Sequence, residues 1–345
     1  MTQKVYIARN YRSKFDAAGK AKMDCETILA NNGWKNIGFK QTWISNGLVG
    51  TALSALGVTW ALMRLKRGSI VAMQYPFKKF YRYTAWGVKL KGCEMVTIVH
   101  DVVSLKKRHL DPTPEISMLS RSKTLIVHNP SMAAWFKENN VTSDLVSLEA
   151  FDYLHTPKVD VQKQPTDLTE LRLVFAGNMG GKQQFLYDLD TLKKGNYRID
   201  LYGVGFKPER VINQKDTRLN YLGKFPADEV IDRIDGDFGI VWYGDSLDTC
   251  DCVNGQYLKY NNPHKLSLYL LCEMPIIIWD KAAMADFVER NGIGIVLSSL
   301  KELPDRLASL SEAEFDTMKQ NVIKIKGKLE TGGFLSDSLK KALNQ

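Results

Sequence analysis

Short apolar runs alternate with stretches of helical period along the whole chain, the pattern expected of parallel strands wrapped by helices. In the first half, Lys4–Ala8, Ile70–Gln74, Met95–His100 and Thr124–His128 predict strands, and Ala21–Asn31, Phe80–Lys91 and Ser131–Glu138 predict helices. Asn129-Pro130-Ser131 has the form of a helix start, since proline tolerates the first turn and a flanking polar side chain caps it. A polar, proline-containing stretch over 155–170 interrupts the pattern. It resumes with strands over Leu171–Ala176, Arg198–Tyr202, Phe238–Trp242, Pro275–Trp279 and Gly294–Leu297. Asp228–Ile234, acidic in its first turn, predicts a surface helix, and 311–345 a helical stretch broken in two at Gly332-Gly333. The fold class is therefore α/β with two Rossmann-like αβα domains: 1–155, a linker over 156–170, a second domain over 171–328 and a terminal helix within 329–345. Ligands of such sheets gather at the carboxyl ends of the strands, so function is expected in the loops that follow them, facing a cleft between the domains.

One segment departs from this grammar. From Gln41 to Met63 there is no charged residue, and the apolar Leu48–Trp60 run is followed by Arg64, Lys66 and Arg67. Its length approaches a membrane span, but glycine, serine and threonine dilute its hydrophobicity. A buried or partner-facing helix is expected instead, with two partners in view: an anionic lipid surface met peripherally, or a second copy of the chain in a homo-oligomer.

A chain of 345 residues exceeds the size at which single cores stop growing, in keeping with two domains. The formal charge of +9 favours anionic partners: nucleotide phosphates, an acidic membrane or nucleic acid. Lysines and arginines are spread along the chain and do not form a stripe interleaved with aromatics, which argues against nucleic acid. Five cysteines without a paired framework suit a reducing cytoplasm, and Lys4–Ala8 is too short for a signal sequence and reads as an opening strand. The expected location is cytoplasmic, including the inner face of the membrane. No GxSxG, HExxH or kinase set is present, and neither are solenoid repeats.

Tyr260–Trp279 reads as a loop, a short apolar helix and a buried strand, with Lys265 at the loop-to-helix junction. Unpaired helix N–H groups and a cation can jointly hold a phosphate or diphosphate there; an ordinary αβ unit with a solvated lysine has the same spacing. After the Leu171–Ala176 strand, Gly177-Asn178 and Gly180-Gly181-Lys182 allow close backbone approach and bring a second lysine, although the sequence is not a Walker A loop and a plain turn has the same composition. Tyr202 and Gly203 end the next strand, where Pro208 breaks the dinucleotide fingerprint, and Tyr243 follows the strand after that. Asp235-Gly-Asp237 spells a cation-binding Asp-x-Asp but falls at the amino end of its strand, so it reads as a turn. Cys250-Asp-Cys252 lacks the partners of a metal site, and no metal is expected. In the first half, the polar Asn10–Lys20 loop, with Tyr11 and Gly19, is expected to line the cleft, and Gln74 to contact sugar. His100 and Asp101 end a strand where an imidazole or carboxylate can take a proton from an acceptor hydroxyl; a structural role fits them equally. His128 reads as structural.

With these residues in view, the tandem αβα domains, the Phe175-Ala-Gly-Asn178 turn and the Asn262–Tyr269 block resemble GT-B glycosyltransferases, within them the bacterial galactofuranosyltransferase and glucosyltransferase group of cell-surface glycan synthesis. The resemblance implies a nucleotide-sugar donor, usually UDP-linked and a substrate in place of any cofactor, held by the carboxyl-terminal domain. It implies a glycan or lipid-linked oligosaccharide acceptor on the amino-terminal domain, metal-independent transfer, and a last helix that crosses back to the first domain. Carried over residue by residue, Gly177, Asn178 and Lys182 would lie by the donor, Asn262, Lys265, Leu266 and Ser267 would hold nucleotide and diphosphate, and Asn10 and Tyr11 would face the acceptor. Two positions depart from the pattern. Glu273 stands where glycine is frequent, and Tyr260 and Leu268 stand where retaining members carry paired glutamates, which leaves the stereochemistry open. The competing classes are a sugar-nucleotide epimerase or glycan phosphorylase of the same fold, and a basic module binding nucleic acid or membrane.

Overall fold

The computed structural model describes all residues except 1, 12–16, 78–79, 108, 156–162, 182, 215–216, 227–228, 254 and 345. Its contacts divide the chain into two units, Met1–Asp152 with Gly332–Gln345, and Tyr153–Thr331.

The first unit runs β1 (Lys4–Tyr6), α1 (Ala17–Asn31), β2 (Lys35–Asn36), α2 (Gly47–Arg64), β3 (Ile70–Tyr75), α3 (Phe80–Leu90), β4 (Glu94–Val99), α4 (Val103–Lys106), α5 (Thr113–Leu119), β5 (Thr124–Val127), α6 (Pro130–Glu138) and β6 (Asp144–Ser147). All strands pair parallel in the order β2-β1-β3-β4-β5-β6. The inner strands are buried on both faces, which explains why they read as continuous apolar runs. Asn129 caps α6 as the sequence predicts, its side chain accepting from Met132 N at 2.9 Å.

The second unit contains β7 (Leu171–Asn178), α7 (Phe185–Asp188), β8 (Tyr197–Val204), β9 (Leu219–Gly223), β10 (Phe238–Val241), α8 (His264–Leu271), β11 (Ile276–Trp279), α9 (Ala285–Arg290), β12 (Gly294–Leu297), α10 (Leu303–Ala308) and α11 (Glu312–Glu330). Its parallel sheet has the order β12-β11-β10-β7-β8-β9. The chain breaks at Gly332, and α12 (Gly333–Ala342) belongs to the first unit, where the Asp152 carboxylate accepts from Phe334 N at 3.0 Å and Leu335 N at 2.7 Å.

Several expectations are corrected. The predicted helix Asp228–Ile234 is, over its described residues, a single 3-10 turn at Val230–Asp232. The stretch between Pro226 and Asp235 is too short to nucleate a stable helix, and a tertiary contact, His155 Nε2 to Asp232 at 2.9 Å, holds it instead. Gly19 lies inside α1 and not in a loop, so it presents nothing to a ligand from a turn. The short edge strands β2, β6 and β9 carried no distinct apolar run and were not anticipated. Residues 163–170 of the expected linker pack onto the second unit, with Lys163 Nζ donating to Cys272 O at 2.6 Å and Thr166 Oγ1 to Asp237 at 2.8 Å.

Candidate functional site

In the second unit, strand order reverses between β7 and β10, the switch point where αβ sheets open a crevice at their carboxyl edge. The β7–β10 ladder pairs Leu173 with Phe238 and Val174 with Gly239 and then stops. Tyr269, from α8, bridges the parted strands: its hydroxyl accepts from Ala176 N–H at 2.7 Å and donates to Ile240 O at 3.3 Å. Its ring lies on Gly239, where an added Cβ would stand 2.2 Å from it, so only glycine admits that ring.

One turn toward the start of α8, on the same helix face, is Lys265. Its Nζ lies 3.7 Å from the Phe175 ring centroid and 4.3 Å from that of Tyr243, and a Cβ on Gly177 would stand 3.7 Å from it. The aromatic faces hold part of the charge. Among the described residues no carboxylate pairs with it, and burial pushes the ammonium down to about 7. The Tyr243 phenol and Cys250 thiol beside it are both pushed up by burial and stay neutral. The site therefore holds a buried cation without a counter-charge, next to a glycine turn and the amino end of a helix whose cap, Pro263, offers no side-chain acceptor.

Gly177 and Gly203 are in register at the ends of β7 and β8, both in the positive-φ region, and a Cβ on Gly203 would fall 1.9 Å from Gly177 O. Asn178 Oδ1 accepts from Gly180 N at 2.8 Å and shapes the turn. Asn262, Leu266 and Ser267 are buried around the start of α8. Lys182 lies outside the described residues. Tyr202 is misassigned as a donor contact: its side chain is buried, its hydroxyl meets the Asp235 backbone at the opposite, amino edge of the sheet, and burial raises the phenol to about 12. Asp235 and Asp237 both pair with Arg172, whose backbone N–H and Nη2 donate to Asp237 at 2.7 and 2.9 Å, so this Asp-x-Asp is an internal ion cluster. Cys250 and Cys252 are free thiols. Among the described residues no His, Cys, Asp and Glu side chains gather as a metal-ligand group.

In the first unit the corresponding reversal lies between β1 and β3. A cavity opens there, lined by Arg9, Asn10, Lys40, Thr42, Ser54 and Phe77. Asn10 anchors its rim, with Oδ1 accepting from Thr42 Oγ1 at 2.7 Å and Ile44 N at 2.9 Å. Arg9 stacks 4.3 Å over Phe77 and donates through Nη2 to Pro76 O at 2.8 Å, while its Nη1 has no partner among the described residues. Tyr11 points inward: its hydroxyl donates to Glu26 at 2.7 Å, and burial pushes that carboxyl up to about 7. Gln74 is buried, with Oε1 accepting from His100 Nε2 at 2.7 Å and Nε2 donating to Lys22 O at 3.1 Å, so both ends of its amide are used within the fold and not presented to a sugar from the surface. His100 stacks on Phe151, which also meets His128 edge-on, so both histidines belong to one buried cluster. Asp101 is half-buried, 3.4 Å from Lys106.

Sequence reasoning missed Tyr269 and Arg9. For Tyr269 a signal existed, its spacing of four from Lys265; for Arg9 there was none beyond its place after an opening strand.

Residues 4–150 match the model for the glucosyltransferase 3-like N-terminal domain, and residues 173–342 match that for the glucosyltransferase 3-like C-terminal domain. The chain is 30% identical over 336 residues to the beta-1,6-galactofuranosyltransferase WbbI of Escherichia coli strain K12, covering 96% of each. It is 24% identical over 280 residues to glucosyltransferase 3 of Streptococcus gordonii, covering 77% of each. The crystal structure of Anabaena HepE in complex with UDP and glucose shares the fold, with a TM-score of 0.60 at 12% identity over 99% of both chains.

Proposed function

This chain belongs to the glucosyltransferase 3-like family and is a GT-B glycosyltransferase, and we propose that it moves a galactofuranosyl or glucosyl group from a UDP-sugar to a sugar hydroxyl of a cell-surface glycan in the cytoplasm, without a metal ion. The observation that carries the donor half is Lys265: a buried ammonium with no carboxylate partner among the described residues, facing the Gly177 turn. A diphosphate supplies the missing counter-charge. As the bond from the anomeric carbon to the diphosphate oxygen breaks, charge grows on that oxygen, and Lys265 with the first N–H groups of α8 stabilises it in a preorganised setting. The commitment of Asp235 and Asp237 to Arg172 supports metal-independent transfer, because this Asp-x-Asp is already engaged inside the fold.

On the acceptor side the cavity bordered by Arg9 and Asn10 would receive the sugar, with Asp101, half-buried just past the end of β4, as the group to take the hydroxyl proton. His100 is then a positioning residue, since Gln74 and Phe151 hold it inside the fold. The test is a thermal-shift screen with nucleoside diphosphates and their sugars. UDP should raise the melting temperature through selective binding to the folded state, and the absence of stabilisation by any nucleoside diphosphate would refute the donor site.

A further inference from the structure

Helix α2 is apolar on the wrong side. At about 100° per residue, Leu48, Val49, Ala52, Leu56, Trp60 and Met63 share one stripe roughly 120° wide. That stripe faces outward, with Leu48 85%, Leu56 60% and Met63 61% exposed. The residues that pack inward are the smaller set Gly50, Gly57, Val58, Ala61 and Leu62. The helix is long and apolar enough to cross a membrane by length and composition, yet only 22% of that window is buried. Of the two expectations for this helix, buried or partner-facing, the exposure of the stripe corrects the first. The neighbouring α3 extends the face: Tyr83 and Trp86 stack on each other with centroids 6.4 Å apart, both exposed, and Tyr83 meets Thr59 of α2 at 3.3 Å.

The charge around this face has one sign. From Thr27 to Cys93 the sequence contains no aspartate or glutamate and ten lysines and arginines, which exceeds the net +9 of the entire chain. Cations border the apolar stripe directly: the Arg64 guanidinium lies 5.8 Å from the Trp60 ring, and Lys91 Nζ reaches Met63 O at 3.5 Å. Arg82 and Lys89 are exposed on α3, and Lys66 and Arg67 in the turn that follows α2.

We propose that the outward face of α2 and α3 docks on an anionic lipid surface, the apolar stripe and Trp60 and Trp86 entering the headgroup boundary while the surrounding lysines and arginines meet lipid phosphates. A second copy of the chain is a poor occupant. An isologous contact through this face would bring Arg64, Lys66, Arg67, Arg82 and Lys89 of both copies together, with no carboxylate in the 27–93 segment to pair with them. An anionic bilayer satisfies both the apolar and the cationic requirement. The inference is independent of the donor site, and its readout needs no transfer assay.

The test is co-sedimentation of the full-length protein with phosphatidylcholine vesicles, with and without phosphatidylglycerol. Binding is expected only with phosphatidylglycerol and should weaken as salt rises. The double variant Leu56→Glu, Met63→Glu changes only outward-facing side chains and should lower the partition coefficient by roughly tenfold or more. Lys66→Gln with Arg67→Gln, which leaves the apolar face intact, should also lower it by roughly tenfold or more and flatten the salt dependence. Failure of the wild type to bind anionic vesicles overturns the proposal, as does unchanged binding by both double variants. Vesicle binding absent in the wild type, with an oligomer that dissociates in the Leu56→Glu, Met63→Glu variant, overturns it in favour of a subunit contact.

Discussion

The Tyr269 hydroxyl accepts the Ala176 amide proton at 2.7 Å, in the place where the β7–β10 ladder has ended. This side chain does the work of a backbone carbonyl and fixes α8, hence Lys265, against the strand that ends in the Gly177 turn. Tyr269→Phe leaves a buried N–H and a buried C=O without that partner, and is expected to cost about 1–3 kcal/mol by urea unfolding. It should also raise the KM for the donor, because the helix that carries Lys265 loses its anchor. Loss of stability with an unchanged donor KM would separate the anchor from the site.

Lys265→Ala should abolish most transfer while the protein remains folded, because it removes a buried cation that pairs with no described carboxylate. The mutant is expected to be as stable as the wild type near neutral pH or more so, since burying an unpaired charge is unfavourable. Loss of kcat of roughly a hundredfold or more is the expected scale for one preorganised donor. Near-wild-type turnover would remove the lysine from the mechanism.

The depressed Lys265 value gives a signed pH dependence. Above about 7 the free protein holds this lysine neutral, so a diphosphate, which favours the ammonium, must bind together with a proton. Affinity for UDP should fall as pH rises above about 7, approaching tenfold per unit until the bound-state value is reached, and calorimetry in buffers of different ionisation enthalpy should show proton uptake. For the ligand-free fold the sign is opposite. The unfolded lysine keeps its proton up to its ordinary 10.5, so this residue's contribution makes stability rise with pH between about 7 and 10.5.

Arg172→Ala should be a stability mutation without a metal phenotype. It strands the fully buried Asp237 and is expected to cost about 3–5 kcal/mol by chemical denaturation. EDTA should leave the wild-type rate within about twofold. Inhibition by EDTA that added magnesium or manganese reverses would contradict metal-independent transfer.

Arg9→Met keeps the stacking volume over Phe77 but removes the donors at the cavity in the first unit. The KM for the acceptor should rise by about tenfold, the scale of one charge-assisted hydrogen bond, while UDP binding is unchanged. An unchanged acceptor KM would make Arg9 a brace for the Pro76 carbonyl and nothing more.

Much of this protein was written locally. Strands buried on both faces are mostly apolar, so β3, β4, β5, β7, β10 and β11 could be read from composition, and the sequence after the strand ends marked the Gly177 turn and the start of α8. Capping at Asn129 and the break at Gly332 are likewise local chemistry. What the tertiary structure alone decided were relations between distant residues. Gln74 is spent on His100, Tyr11 on Glu26, and Tyr202 on the far edge of its sheet, because a side chain's target depends on what folds beside it. Glu273 shows the division within one residue. It adopts the positive φ of 61° that glycine would take at that helix end, and two ion pairs, with Lys326 at 2.7 Å and Lys163 at 3.3 Å, hold it there. Sequence determined which segments could be buried; only the packed structure decided that α2, the most apolar helix by composition, would turn Leu48, Leu56, Trp60 and Met63 outward, because its inner side meets Asn10 and Phe39 at Gly50 and Gly57, where there is little room for a side chain.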